Sequence, residues 1–259
     1  MFILSIFAQF THAICIDQSV CAPQCCPMSF ATRITRSPTP YDADRGADAR
    51  ALFPDVAPRI ATLIAGTAGC SPYLADLLRR EAEWIIPAFD DPEGAMAALL
   101  ADIPKMGLHD LTAGLRQAKR RGALLSGLAD LGGVWPLETV TQTLTDFADA
   151  AVQATITQLV AAEVARGKLP EGGDPADAGG MVVLAMGKMG AGELNYSSDI
   201  DLICLFDETR FDPDDYHEVR SAFVRVTRKM TAILSDAREG GYVFRTDLRL
   251  RPDASVTPV

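Results

Sequence analysis

The chain has 259 residues, enough for one large domain or two small ones. A hydrophobic content of 48% supports a buried core, and only 7% aromatics beside abundant Ala and Leu points to helix. The net charge of −10 speaks against the basic footprint that non-specific nucleic-acid binding needs, yet leaves nucleotide binding open, because a bound metal can supply positive charge locally.

Residues 1–27 differ from the rest. MFILSIFAQF is apolar, but no Lys or Arg precedes Arg33, so a secretory signal lacks its basic leading region. The run is also too short to span a bilayer. It is read as a leader, disordered or produced by a start placed before Met28. Cys15, Cys21, Cys25 and Cys26 cluster there without a CxxC pair, so a zinc reading is weak. The remaining cysteines, Cys70 and Cys204, fit a reduced, cytoplasmic body. His12, His109 and His217 are far apart, which disfavours a His-based metal site or a Ser/His triad.

Residues 28 to about 50 are polar, with Pro38 and Pro40, and read as an extended arm. Helical patterning follows. Ser71-Pro72 supplies an N-cap and a first-turn proline for YLADLLRREAEWII, which stops at Pro87. Asp91-Pro92 opens a second helix, EGAMAALLADI, and His109 to Leu131 forms a third, on which Arg116, Lys119, Arg120 and Arg121 read as a solvated face. Thr139 to Val164 is a long helix with a core stripe of Leu144, Ala148, Val152, Ile156, Val160 and Val164.

After the Gly-, Pro- and Asp-rich stretch KLPEGGDPADAGG the class changes. Met181–Met186 and Ile200–Phe206 read as strands, the first as a continuous buried run. A helix is expected from Tyr216 to Ala237, with an apolar stripe of Tyr216, Val219, Phe223, Val226, Met230 and Ile233. Gly240-Gly241 breaks the chain before a third strand from Tyr242 to Leu250. The fold expected is α+β: a helical region over 28–170, then a small mixed sheet with flanking helices over 171–259.

The chemistry concentrates in the second part. Side chains alternate along a strand, so Asp199 and Asp201 share one face, ~6.5 Å apart along the chain, while Ile200, Leu202, Cys204 and Phe206 share the other. Such oxygen donors can hold Mg²⁺ while nucleotide phosphates complete its shell, for in-line displacement at phosphorus. On the third strand Arg245, Asp247, Arg249 and Arg251 alternate with Phe244, Thr246, Leu248 and Leu250. An edge strand would show the same pattern; beside a DxD strand, Asp247 reads better as a third metal carboxylate, with Arg249 and Arg251 toward phosphate or a protein substrate. The loop GKMGAGELNYSSD offers Gly187, Gly190 and Gly192 for close backbone approach and Lys188, Ser197 and Ser198 as phosphate donors. It is neither a Walker A loop nor a GxGxxG turn, although Asp207 lies about 20 residues past Gly187, as a dinucleotide fold would require.

GKMGAGELNYSSDIDLICLFD followed by RTDLRLRPDASVTPV resembles the bifunctional glutamine synthetase adenylyltransferase/adenylyl-removing enzymes of bacteria. The likeness is strong over 181–259 and looser over the preceding helices. It implies a nucleotidyltransferase domain preceded by a helical region, with Asp199, Asp201 and Asp247 as the family's metal carboxylates and Mg²⁺ as cofactor. ELNYSSDIDL is similar to the amino-terminal copy, which removes AMP from a tyrosine of glutamine synthetase by phosphorolysis; the carboxy-terminal copy attaches AMP from ATP. The implied partners are glutamine synthetase, the nucleotide, phosphate and a nitrogen-signalling regulatory protein, with no nucleic acid or membrane. The chain stops at Val259, directly after the third strand, so a truncated domain is expected. Two other readings stand beside catalysis on glutamine synthetase: a nucleotidyltransferase with another substrate, and a non-catalytic remnant that binds nucleotide or glutamine synthetase.

Overall fold

A computed structural model describes residues 29–170, 175–237 and 241–249. The expected leader, 1–27, and Leu250 and Arg251 lie outside these residues.

Among the described residues, eight α-helices come first: α1 (Phe30–Arg33), α2 (Ala43–Ala51), α3 (Pro58–Cys70), α4 (Pro72–Arg80), α5 (Ala82–Ala88), α6 (Pro92–Asp102), α7 (Leu108–Leu131) and α8 (Leu137–Ala165). Three starts follow a shared local logic. Asp42 Oδ1 accepts from Arg45 N at 2.9 Å, Ser71 Oγ from Leu74 N at 3.2 Å and Asp91 Oδ1 from Gly94 N at 2.9 Å. Each side chain thereby satisfies a backbone donor that the first turn leaves free. Pro72 and Pro92 sit in first turns, where the missing N–H removes no helical bond.

The extended arm expected over 28–50 is corrected by α1 and α2. Phe30 and Ile34 are core residues, and Phe30 N donates to Phe89 O at 3.2 Å. Helix α2 has the sequence ADRGADARA, with no large apolar residue to mark a stripe. It lies so close to α3 that a Cβ on Gly46 would meet Ala65 O at 2.6 Å. Backbone proximity through small residues replaces side-chain packing, which a hydrophobic-period reading does not register.

The helix expected to run unbroken to Pro87 divides at Glu81, whose backbone leaves helical geometry at φ −116, ψ 23. Pro87 lies inside α5. The solvated basic face expected on α7 is also corrected. Arg116 is buried, and Arg120 Nε and Arg121 Nε donate to the two oxygens of the buried Glu81 at 2.8 and 2.9 Å. The stripe of α8 is core as read, with Val164 partly buried against it.

The sheet comprises β1 (Met181–Met186), β2 (Ile200–Phe206) and β3 (Thr246–Asp247), in that order. The short helical turn α9 (Gly187–Gly190) follows β1, and α10 (Tyr216–Ser235) carries the chain across from β2 to β3. Strands β1 and β2 pair antiparallel, with Met186 opposite Asp201; β2 and β3 pair parallel, with Ile200 opposite Thr246 and Asp201 opposite Asp247. The fold is α+β, with a small mixed sheet after a helical region. Val183, Ala185, Cys204 and Phe206 pack against the core and Ile200 and Leu202 lie within it. The continuous burial expected of β1 is corrected: Val182, Leu184 and Met186 are exposed on the opposite face.

The third strand is far shorter than the expected 242–250. Val243 N and Phe244 N both donate to Leu234 O at 2.9 Å, and Thr246 N donates to Ser235 Oγ at 3.0 Å. The segment before β3 spends its hydrogen bonds on the end of α10 and is not available to a ladder. Phe244 is thereby buried, with its ring 5.7 Å from that of Phe147 on α8, which joins the sheet region to the helices in one continuous core.

Candidate active site

Ladder register brings the predicted carboxylates together. Asp201 sits directly opposite Asp247, on strands that in a sheet run ~4.8 Å apart. Asp199 lies two residues before Asp201, just ahead of β2, and Ile200 N is fixed to Arg245 O at 2.9 Å. Asp199, Arg245, Asp247 and Arg249 line a cleft of about 500 Å³, with Arg228 and Thr231 of α10 on its wall. The last two were missed from sequence. They lie on the polar side of α10, and only the crossover geometry turns that side toward the carboxylates.

Two arginines balance the acids. Arg245 Nε donates to Asp199 Oδ1, and its Nη2 donates to Ser197 O at 2.8 Å. Arg249 Nε donates to both oxygens of Asp247, at 3.0 and 2.9 Å, and its backbone N donates to Oδ1 at 2.9 Å. The hydrogen bonds from Arg249 hold the Asp247 carboxyl down at about 2. The charges of Asp201 and Asp199 also reach Arg249 and raise its pKa further, after the larger effect of Asp247. Arg245 was read only as part of a charged face; its pairing with Asp199 joins residues 46 positions apart and has no local sequence signal.

The glycine loop meets this site at one point. Gly187 has φ +56, and a Cβ there would lie 2.9 Å from Asp201 Oδ2, so a side chain is disfavoured both by conformation and by space. Gly190 packs onto Ala185 O, which a Cβ would approach to 2.4 Å. Gly192 faces Gln142 of α8 instead. Lys188 is exposed on α9. Ser198 Oγ donates to Asn195 Oδ1 at 2.7 Å, and Ser197 presents its carbonyl to Arg245. Of the phosphate-binding candidates, Gly187, Ser197, Ser198 and Arg249 therefore adjoin the carboxylates; among the described residues no hydrogen bond or ion pair joins Lys188, Gly190 or Gly192 to them, and Arg251 lies outside the described residues. Leu194 N donates to Thr145 Oγ1 at 3.2 Å, and Tyr196 Oη lies 3.1 Å from Asp130 Oδ2, so the loop is pinned to α8 and α7.

Carboxylate oxygens at neighbouring ladder positions are the hard donors that a divalent cation takes, and Asp199 and Asp247 already receive cationic guanidinium groups. The donors are thus of the chemical kind that a divalent cation takes, and two of them, Asp201 and Asp247, stand opposite each other in the ladder. Among the described residues, no three acidic, histidine or cysteine side chains converge as a ready ligand group.

A family model described as glutamate-ammonia ligase adenylyltransferase matches residues 57–259. The chain belongs to this family. It is 48% identical over 207 residues to the bifunctional glutamine synthetase adenylyltransferase/adenylyl-removing enzyme of Bradyrhizobium diazoefficiens, an overlap covering 76% of this chain and 21% of that protein. Proteins with the same name from Rhodopseudomonas palustris strain BisB5 and Xanthobacter autotrophicus are 45% and 41% identical, over 78% of this chain and 21% of each relative. The chain thus spans about a fifth of the length of these curated relatives. No helix among the described residues is long and apolar enough to cross a membrane.

Proposed function

We propose that this chain catalyses Mg²⁺-dependent nucleotidyl transfer on glutamine synthetase, in the removing direction. A phosphate oxygen attacks the phosphorus of AMP on the modified tyrosine, the bond from phosphorus to the tyrosyl oxygen breaks, and ADP leaves while the tyrosyl oxygen, still part of glutamine synthetase, takes up the proton that the phosphate gives up. The observation that carries this reading is the parallel register of Asp201 with Asp247, with Asp199 two residues upstream. Those three carboxylates would hold Mg²⁺. When bound, the metal neutralises charge on the attacking and leaving oxygens.

The chain's own groups orient the phosphates. Backbone N–H groups of the loop around Gly187, Gly190 and Gly192 and the side chains of Lys188, Ser197 and Ser198 donate to phosphate oxygens. Arg249 and Arg251 meet the incoming phosphate or the protein substrate. The wording of ELNYSSDIDL supports removal over attachment from ATP. A nitrogen-signalling protein as regulator and a cytoplasmic setting belong to the same proposal.

The pairing of Asp199 and Asp247 with arginines favours one other reading, a chain that binds nucleotide or glutamine synthetase without turnover. One assay separates the two. Adenylylated glutamine synthetase, phosphate and Mg²⁺ are mixed with the chain and ADP release is followed. Release that falls by about 10²-fold or more in Asp199→Asn and Asp201→Asn supports catalysis, since removing electrostatic stabilisation of this kind has effects of that order. Nucleotide binding without release supports the second reading, and absence of both sinks the site assignment.

A further inference from the structure

A second cavity lies apart from the cleft beside Asp199. It lies between α4, α7, the loop at 196–198 and residues 241–244, and has a volume of about 710 Å³, within the range of small-molecule sites. Its lining combines aromatic side chains with cations. Tyr73, Tyr196, Tyr242 and Phe244 contribute rings, and Arg116 and Lys119 project from successive turns of α7.

The two cations differ from the other charged groups on the wall. Arg120 is engaged by Glu81, Arg80 by Asp76, and Asp130 by Arg36 and Tyr196. Lys119 has no carboxylate or hydrogen-bond acceptor among the described residues; its ammonium lies 4.0 Å from the centre of the Phe244 ring. Arg116 is only 7% exposed, and its Nε has no partner, while one Nη donates to Asp236 O at 2.8 Å. A partly buried cation without an acid, beside a buried guanidinium with an unused donor, is unfavourable unless something anionic arrives. The rings around them suit a flat, apolar body.

We propose that this cavity binds a small ligand consisting of an aromatic ring bearing a phosphate or carboxylate group, with the anion received by Lys119 and Arg116 and the ring held among Tyr73, Tyr242 and Phe244. The site is separate from the carboxylate cleft but shares a wall with it. Ser197 and Ser198 line the cavity just before Asp199, and Tyr242 lies 5.9 Å below the guanidinium that Arg245 presents to Asp199.

Phenyl phosphate is a suitable probe, titrated calorimetrically into the full chain. The expected result is saturable binding that weakens about tenfold or more in Lys119→Met, the loss of one charge-assisted hydrogen bond, and that is unchanged in Asp201→Asn. In the unsubstituted chain, phenyl phosphate should also protect Lys119 from reductive methylation, a readout that needs no variant to fold. No binding, undiminished binding in a folded Lys119→Met chain, or unprotected Lys119 overturns the proposal. Binding lost in Asp201→Asn but kept in Lys119→Met places the probe in the carboxylate cleft and also overturns it. Because Asp201→Asn removes a proposed catalytic carboxylate and leaves this cavity intact, the proposal can fail while the catalytic reading survives, and the reverse.

Discussion

At Gly187 a methyl group would need both a left-handed backbone and the space held by Asp201 Oδ2. The left-handed conformation alone costs about 1–2 kcal/mol for an L-residue. Gly187→Ala is therefore expected to lower stability by at least that much, a fall in Tm of roughly 2–8 °C for a chain of this size. It should also push the Asp201 carboxylate away from α9, so ADP release should drop further than the fall in Tm explains.

Lys119 raises a different question, because burial pulls its ammonium down from 10.5 to about 8. Below pH 8 both the folded and unfolded chains carry the proton, and the folded chain bears the full desolvation penalty, about 3 kcal/mol at most by linkage. Between pH 8 and 10.5 the unfolded chain binds more protons, so stability contributed at this residue rises with pH across that window. The contact with the Phe244 ring offsets part of the penalty, by ~1–2 kcal/mol. Lys119→Met should thus stabilise the chain by about 1 kcal/mol at pH 7, and the gain should disappear as pH approaches 10.5. Urea unfolding at pH 7 and at pH 10 checks this; a variant less stable than its parent at pH 7 would show that the ammonium is well solvated or paired.

At the scale of elements, local signals located most helices and failed where tertiary contacts decide. Caps at Ser71 and Asp91 were legible because they act within three residues. The break at Glu81 was not, because RREAEWII contains good helix formers throughout. What holds the break is the Glu81 carboxylate, 4% exposed and shared by Arg120 and Arg121 of α7, some 40 residues away. Those contacts also turn the supposed solvated face of α7 inward. Removing a buried acid that two cations share costs about 3 kcal/mol or more, since the cations lose their counter-charge. Glu81→Ala is expected to destabilise the chain on that scale in denaturant unfolding, whereas Glu83→Ala, two residues along and exposed, should stay within about 0.5 kcal/mol. The strands followed the same rule. Period-2 alternation revealed which residues of β2 share a face, but the length of β3 depended on hydrogen bonds to the end of α10, which no strand pattern encodes.

Across the whole molecule, the carboxylates were legible because three of them fall on strand-like alternation, whereas the link between the helices and the site is purely spatial. That link runs through the loop after α9. Tyr196 Oη lies within hydrogen-bond reach of Asp130 Oδ2 at 3.1 Å and Ser126 O at 3.3 Å, both on α7, and Leu194 N is bound to Thr145 on α8. Ser197, the next residue, offers its carbonyl to Arg245, and Arg245 holds Asp199. A chain of direct contacts therefore leads from α7 to the first carboxylate. Burial and the neighbouring Asp130 charge both keep the Tyr196 phenol protonated, so it serves as a donor throughout the working pH range. Tyr196→Phe removes that donor while keeping the ring, at a cost of about 1 kcal/mol. If the helices fix the loop through this contact, amide hydrogen exchange over residues 193–199 should accelerate, with the core of α8 little changed. ADP release should fall along with it. Unchanged exchange in the loop would mean that the Leu194 contact and the burial of its side chain suffice, and that the helical region bears on the carboxylates by packing alone.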